Sequence, residues 1–385
     1  GDSGSDTLTV EYTPSTNKVE ILGDSGSDII SLSATDGDVL LHGGLNSDVI
    51  NIGSPFNSLD DVLGTIFVQG DANDSATNTL TVRSDTNTLT VGDILNLNDY
   101  EDDSDNTYTL TATTFQRSGT GQLTYGTIET LNVNTGTGAD TINVTSTTDN
   151  VNTNINASGA NMGVDTVTVT TTGASSNVIV NTFAEKDVVS VTNTGASSYL
   201  IINSGTEADL VRLDTTGTDS RVQLNGDVGA DIFVVNSTSS NSLLEINSGA
   251  GADDITFNGA SGTTVLNAGT ENDMVRVNSI DGIAILNGDD NVDTFVIEAT
   301  EANSDLTINA GAGEDDITFN SASGTTVLNA GTENDRVQVN NIDGIAILNG
   351  DDGADTFVIE TTKASSDLTI NAGAGEDDIT FNSAS

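Results

Sequence analysis

The sequence predicts an all-β chain wound as a parallel β-helix or β-roll solenoid, with about 20–22 residues per coil and right-handed by default. Three observations predict it. Residues 249–310 and 311–372 are two copies of a 62-residue unit that differ at 10 positions, and a third copy begins at Gly373. Each unit divides into three shorter ones, and each of these carries an Asp followed by alternating apolar positions. An Asn stands six residues before most of these Asp residues, and that distance holds while the rest of the coil varies in length.

The anchor Asp occurs at Asp140, Asp165, Asp187, Asp209, Asp231, Asp253, Asp273, Asp293, Asp315, Asp335, Asp355 and Asp377, at spacings of 20–25 residues. It reappears at Asp6, Asp28 and Asp48. The Asn row runs through Asn134, Asn181, Asn203, Asn225, Asn247, Asn267, Asn287, Asn309, Asn329, Asn349 and Asn371. Asn156 lies nine residues before Asp165, which predicts a small bulge in that coil.

Period-two alternation marks strands rather than helices. Ile255/Phe257, Val275/Val277 and Phe295/Ile297 are expected to point inward on one strand, and Thr264/Leu266, Ala284/Leu286 and Leu306/Ile308 on a second that ends at the Asn. The two copies test this, because Met274 becomes Arg336 and Arg276 becomes Gln338 while the Val residues between them stay Val. Exchanging Met for Arg is cheap only on a wet face. Two short strands per unit cannot enclose a core, so each unit must bury its inner face against its neighbours. A β-propeller needs longer blades, and a β-sandwich gives no reason for Asn and Asp at fixed phase.

The pattern divides the chain into N-terminal coils at 1–54, an irregular segment at 55–131 that opens at Pro55, and a regular solenoid at 132–385. Within the irregular segment, Asn78 and Asn106 are expected to stand in for the anchor Asp, with long loops projecting between. The chain starts without Met and stops inside a repeat, so a mature or excised segment is expected.

Composition excludes several functions. With 58 Asp plus Glu against 9 Lys plus Arg, the net charge is -49, and no basic stripe is available for nucleic acid. There is no Cys to form disulfides, and His42 is the only His, too few for a zinc centre. No run of about 20 apolar residues offers a membrane helix.

A stacked Asn answers itself: its amide donates to the copy on one side and accepts from the copy on the other. A structural ladder is therefore expected from Asn181 to Asn371. An Asp cannot do the same. Carboxylates ~4.8 Å apart repel by about 0.9 kcal/mol in water, and by about 3.5 kcal/mol at an effective dielectric near 20. Further acids crowd the same arc at Asp227, Glu271, Asp289, Asp290, Glu333, Asp351 and Asp352. Calcium is the expected counterion, since it takes carboxylate and backbone oxygens in irregular shells. The expected ligands are Asp140, Asp187, Asp209, Asp231, Asp253, Asp273, Asp293, Asp315, Asp335, Asp355 and Asp377. The other reading is that the Asp caps a turn without any ion.

The arcs GTGAD, GAGADD, GAGEDD and GDSGSD resemble the Gly/Asp turns of the haemolysin-type (RTX-like) calcium-binding repeats. The stretch TIETLNVNTGTGADTINV is similar to segments of giant bacterial surface proteins. Gly136, Gly138 and Asp140 match such a turn, as do Gly249, Gly251 and Asp253, Gly311, Gly313 and Asp315, and Gly373, Gly375 and Asp377. The family repeats about every nine residues, whereas this coil is 20–22 residues long. The resemblance implies a secreted bacterial β-roll that binds calcium between coils.

The expected function is a non-enzymatic, extracellular structural or adhesive rod at the cell surface, part of a surface layer, fibre or giant adhesin. Its partners would be copies of itself, packed laterally through Ile232, Val234 and Val296 or head to tail, with polysaccharide or the cell surface as further contacts. The alternative is a polysaccharide-active or polysaccharide-binding β-helix, for which Lys18, Lys186, Arg212, Arg221 and Arg276 gather at no common phase. An ice-binding face would need a Thr ladder, and the one begun by Thr141 and Thr166 stops at Val188.

Overall fold

A computed structural model describes the chain except for residues 2, 54–56, 73–76, 91, 158–162 and 385. It is a parallel β-solenoid, and no helix occurs among the described residues. Two compact units form, Gly1–Ser204 and Gly205–Ser385.

In the second unit each coil contributes one strand to each of two sheets. The first sheet contains Arg221–Asn225, Leu243–Asn247, Thr263–Asn267, Ile283–Asn287, Asp305–Ala312, Thr325–Thr332, Ile345–Asp352 and Asp367–Asn371. The second sheet runs from Leu210–Thr215 through Asp254–Phe257, Met274–Val277 and Thr294–Ile297 to Asp378–Ala384. Every pairing is parallel and sets equivalent residues side by side, as in Phe257↔Val277, Val277↔Ile297 and Asn287↔Asn309. The expected inner residues, Ile255, Phe257, Val275, Val277, Phe295 and Ile297, are buried, as are Thr264, Leu266, Ala284, Leu286, Leu306 and Ile308. Arg276 and Arg336 face solvent.

In the first unit, the first sheet is again wholly parallel, from Thr7–Val10 to Tyr199–Asn203. The second sheet is interrupted. Val19–Leu22, Val39–Leu45, Ile66–Ala72 and Leu123–Gly126 pair in parallel. Thr114–Arg117 then runs antiparallel both to Leu123–Gly126 and to Thr107–Leu110, and Thr107–Leu110 pairs in parallel with Thr141–Val144. This insertion buries Tyr108, Phe115 and Tyr125, whose rings serve as core.

Thr77–Val82 and Asp85–Thr90 form a separate antiparallel hairpin. Leu80 and Val82 on it are buried, and Asn87 donates to the carbonyl of Ser175 (3.1 Å) and to Oδ1 of Asn177 (2.9 Å) on the same unit. Asn78 pairs with Leu89 inside this hairpin, outside both solenoid sheets, so it does not stand in for an anchor. Pro55 and the bulge expected before Asp165 fall on residues outside those described.

Fully buried Phe233, Phe257, Phe295, Phe319 and Phe357 are the largest core side chains of the second unit. Phe295→Ala leaves a ring-sized void between close-packed coils and is expected to cost about 3–5 kcal/mol. Gln338→Ala, on the outer face, should change stability by no more than about 0.5 kcal/mol. Denaturant titration of the two variants measures the contrast.

Candidate functional site

The anchor aspartates are buried side chains at the corners where one sheet hands over to the other. Asp140, Asp187, Asp209, Asp231, Asp253, Asp273, Asp293, Asp315, Asp335 and Asp355 are almost wholly buried, and Asp377, in the last coil, is half-buried. In the second unit the backbone N–H of each anchor from Asp209 to Asp355 donates to Oδ1 of the anchor one coil further on, at 2.7–3.1 Å. In the first unit Asn106, Asp140 and Asp165 donate in the same way to Asp140, Asp165 and Asp187 at 2.7–2.9 Å.

Asp6, Asp28 and Asp48 belong to a different column. They donate to Oδ1 of Asp28, Asp48 and Asp93 at 2.7–2.8 Å, and Asp93 donates to Oε2 of Glu129 at 3.0 Å. These anchors precede strands of the first sheet, whereas Asp140 and its successors precede strands of the second. The first column ends at Glu129 and the second begins at Asn106, so the two corners change over between Asp93 and Asp140. The sequence does carry a sign of this: six residues before Asp28 and Asp48 stand Leu22 and His42, not Asn.

The second oxygen of the anchors has a different environment. Oδ2 of Asp165, Asp273, Asp293, Asp315, Asp335 and Asp355 is buried with no hydrogen-bond partner. Burial pushes Asp231 and Asp315 up to about 6, Asp165, Asp273 and Asp335 to about 7, and Asp293 to about 8. The backbone N–H on Oδ1 opposes the rise, while neighbouring acids add to it.

The Gly-rich arc before each anchor has a backbone explanation. Two positions in it take positive φ. The first is Gly311 (φ 114) in one coil and Asp289 (φ 73) or Asp351 (φ 65) in others. The second is Gly313 (φ 145), Glu271 (φ 73), Asn291 (φ 76) or Glu333 (φ 76). Gly, Asn and Asp enter this region most readily. Glu271, Asp289, Glu333 and Asp351 thus occupy positions where other coils carry Gly.

These residues do not fit a calcium shell. Calcium takes about 6–8 oxygens from convergent donors. Here each coil supplies one buried anchor carboxylate whose Oδ1 is already held by main chain. Among the described residues no group of three or more Asp, Glu, His or Cys converges as a metal ion would need.

The Asn ladder lies beside the anchor column. Side-chain amides of Asn134, Asn156, Asn181 and Asn203 donate to Oδ1 of Asn98, Asn134, Asn156 and Asn181 at 2.7–3.0 Å. In the second unit the row runs Asn225, Asn247, Asn267, Asn287, Asn309, Asn329, Asn349 and Asn371 at 2.7–2.9 Å. Asn156, despite its irregular spacing, takes its place in the row. Sequence reasoning missed two further rows, Asn51–Asn96–Asn132–Asn154 and Asn236–Asn258–Asn278, bonded at 2.6–2.8 Å. Their signal was the same, an Asn recurring at fixed phase.

It also missed Arg117, a cation buried within the antiparallel insertion. Its Nη1 lies 2.8 Å from Asp60 and its Nε 2.9 Å from Oδ2 of Asp99, and Nη2 pairs with Asp102. Tyr108 donates to Asp99 at 2.7 Å and Asn106 to Asp102 at 2.8 Å. This cluster ties residues 59–60, 99–108 and 117 together where the solenoid pattern lapses.

No protein-family model matches the chain, and no curated protein matches it in sequence.

Asn287→Ala removes a donor to Asn267 (2.8 Å) and an acceptor for Asn309 (2.7 Å). The expected loss is about 1–3 kcal/mol, because both neighbours are left with unanswered amide atoms. Chemical denaturation of this variant against the parent measures it.

Proposed function

We propose that the chain is a structural or adhesive rod segment at the outer cell surface, with no catalytic task, within a surface layer, fibre or giant adhesin. The observation that carries this reading is the repetition of one polar geometry. In the second unit the same Asp–backbone bond and the same Asn–Asn bond recur coil after coil at 2.7–3.1 Å. An enzyme concentrates its unusual residues in one place, whereas a rod needs every rung alike. The near-identity of the 62-residue copies suits a protein whose length is what matters. The likeness of its Gly/Asp turns to those of secreted β-rolls supports the surface location.

In this reading calcium acts as a counterion of the exposed acidic rim, not as an ion held by the buried columns. Copies of the chain associate through apolar residues of the outer faces. On the first sheet of the second unit Ile283 and Ile345 are exposed, and Ile285, Val327 and Ile347 are partly exposed. Ile232 on the second sheet is exposed, with Val234 and Val296 partly so.

A second reading, polysaccharide binding, is favoured by one feature. A groove of about 530 Å³ on the outside of the first unit is lined by Val19, Leu40 and exposed Phe67 beside Lys18, Glu20 and Gln69. It offers a ring face next to hydrogen-bonding groups, as sugar contacts require.

Removing residues 311–372 should leave a folded, shorter chain, because Asp293 then meets Asp377 as it met Asp315. Loss of folding would argue for a fixed, site-bearing length. Calcium should raise the melting temperature more than NaCl of equal ionic strength and increase light scattering through assembly. Equal effects of the two salts, with a strict monomer throughout, would remove the calcium and self-association parts. Binding of neutral oligosaccharides that Phe67→Ala abolishes would favour the second reading.

A further inference from the structure

The corner that holds the anchor column contains a second column of small residues, one directly after each ladder Asn: Gly226, Ser248, Ala268, Gly288, Ala310, Ala330 and so on. A Cβ placed on Gly288 would run into both Oδ2 of Asp293 and the carbonyl oxygen of Ala310 on the next coil. The same pair of atoms crowds Gly226 (Asp231 and Ser248) and Gly350 (Asp355 and Ala372). The unpartnered carboxyl oxygen and a main-chain carbonyl oxygen therefore face the same point. Coils that carry a hydroxyl at this position show what that carbonyl accepts. Ser248 donates its hydroxyl to the carbonyl of Ala268 at 2.6 Å, and Thr182 donates to that of Ser204 at 2.8 Å. In the Gly coils the polar atom turned toward the carbonyl is Oδ2. Two oxygens bearing only lone pairs cannot bond. A proton on Oδ2 makes them donor and acceptor.

We propose that the buried anchors Asp273 and Asp293 are held near neutrality as uncharged acids, Oδ2 of Asp293 carrying its proton toward the carbonyl of Ala310 on the next coil, so that their ligand is the proton and not a metal cation.

Asp273 and Asp293 are the central case. Both are buried, each accepts a backbone N–H on Oδ1 at 2.8 Å, and neither Oδ2 has a partner. The charged groups that act on them are all acids: Asp253, Glu271 and Asp289 on Asp273, and Asp273, Asp289 and Asp315 on Asp293. Protonation removes the repulsion between anchors and answers the orphan oxygen, without any cation from the protein.

The sign of the pH effect follows. Folding raises Asp273 from an ordinary 3.8 to about 7 and Asp293 to about 8. A carboxyl raised in this way binds its proton more tightly in the folded chain. The stability it contributes is complete below about pH 4 and is lost as pH rises through about 8.

The test uses the full chain and the variants Asp293→Asn and Asp273→Asn/Asp293→Asn. Asn keeps an oxygen for the backbone N–H and replaces the acid O–H with an amide N–H. Melting temperature should rise steadily from about pH 8.5 to about pH 5, and high NaCl should not abolish the gradient. The Asn variants should melt higher than the parent at pH 8.5. Refolding in weak buffer near pH 7 should take up protons, fewer for each Asn introduced. Infrared spectra of the folded parent should show a protonated carboxyl band at pH 7 that disappears on unfolding. That band requires no variant to fold. Its absence overturns the proposal. So does a pH gradient that salt removes, which would assign the effect to surface charge. Asn variants that fold but melt lower than the parent at pH 8.5 and lose a calcium response would return the column to metal binding.

Discussion

Stacking like residues on like at one strand spacing forces each polar side chain to find its partner in a copy of itself. Apolar side chains meet this condition without difficulty, since Phe or Val above Val is simply core. Asn meets it because one amide carries both a donor and an acceptor, and rows of Asn appear at several phases of the coil. Asp is the residue that fails the condition, since an ionised carboxylate only accepts. The chain's recurring polar architecture can be read as answers to this one problem.

The solenoid answers half of it with its main chain. Each anchor's Oδ1 takes the backbone N–H of the preceding anchor, so the column is knitted by alternating peptide and carboxyl groups. The corner where this happens is made by two residues of positive φ, which is why Gly, Asn and acidic residues share those positions. Gly311, Asp289 and Asp351 thus do the same backbone work. The motif that resembles a calcium turn in the sequence serves here to reverse the chain around a buried carboxyl. Negative charge is separated by depth, with a buried column inside and an exposed rim at Asp227, Glu271, Asp289 and Glu333 outside.

The irregular segment shows what happens when the rule lapses. Between Asp93 and Asp140 the column ends at Glu129 on one corner and begins at Asn106 on the other. Antiparallel strands fill the gap, aromatic residues replace the thin aliphatic core, and Arg117 gathers Asp60, Asp99 and Asp102. A buried cation with three acids is a local solution for a place where repetition no longer supplies partners.

The sequence by itself determined the fold class, the coil length and the inward and outward faces. Repetition at fixed phase is a geometric statement that only a stacked solenoid satisfies, and the exchange of Met274 for Arg336 marks the wet side directly. It also exposed the main Asn ladder, because self-complementary residues reveal themselves by recurring. Tertiary structure alone decided which way the anchor Asp residues point and that one carboxyl oxygen is bound by main chain. It alone brought Arg117 to its acids across 57 positions, the separation of Arg117 and Asp60. The reason is physical: phase along the chain fixes which residues stack, but whether a carboxyl faces an ion, a peptide or another acid depends on backbone turns and on burial, and these exist only once the coils are closed.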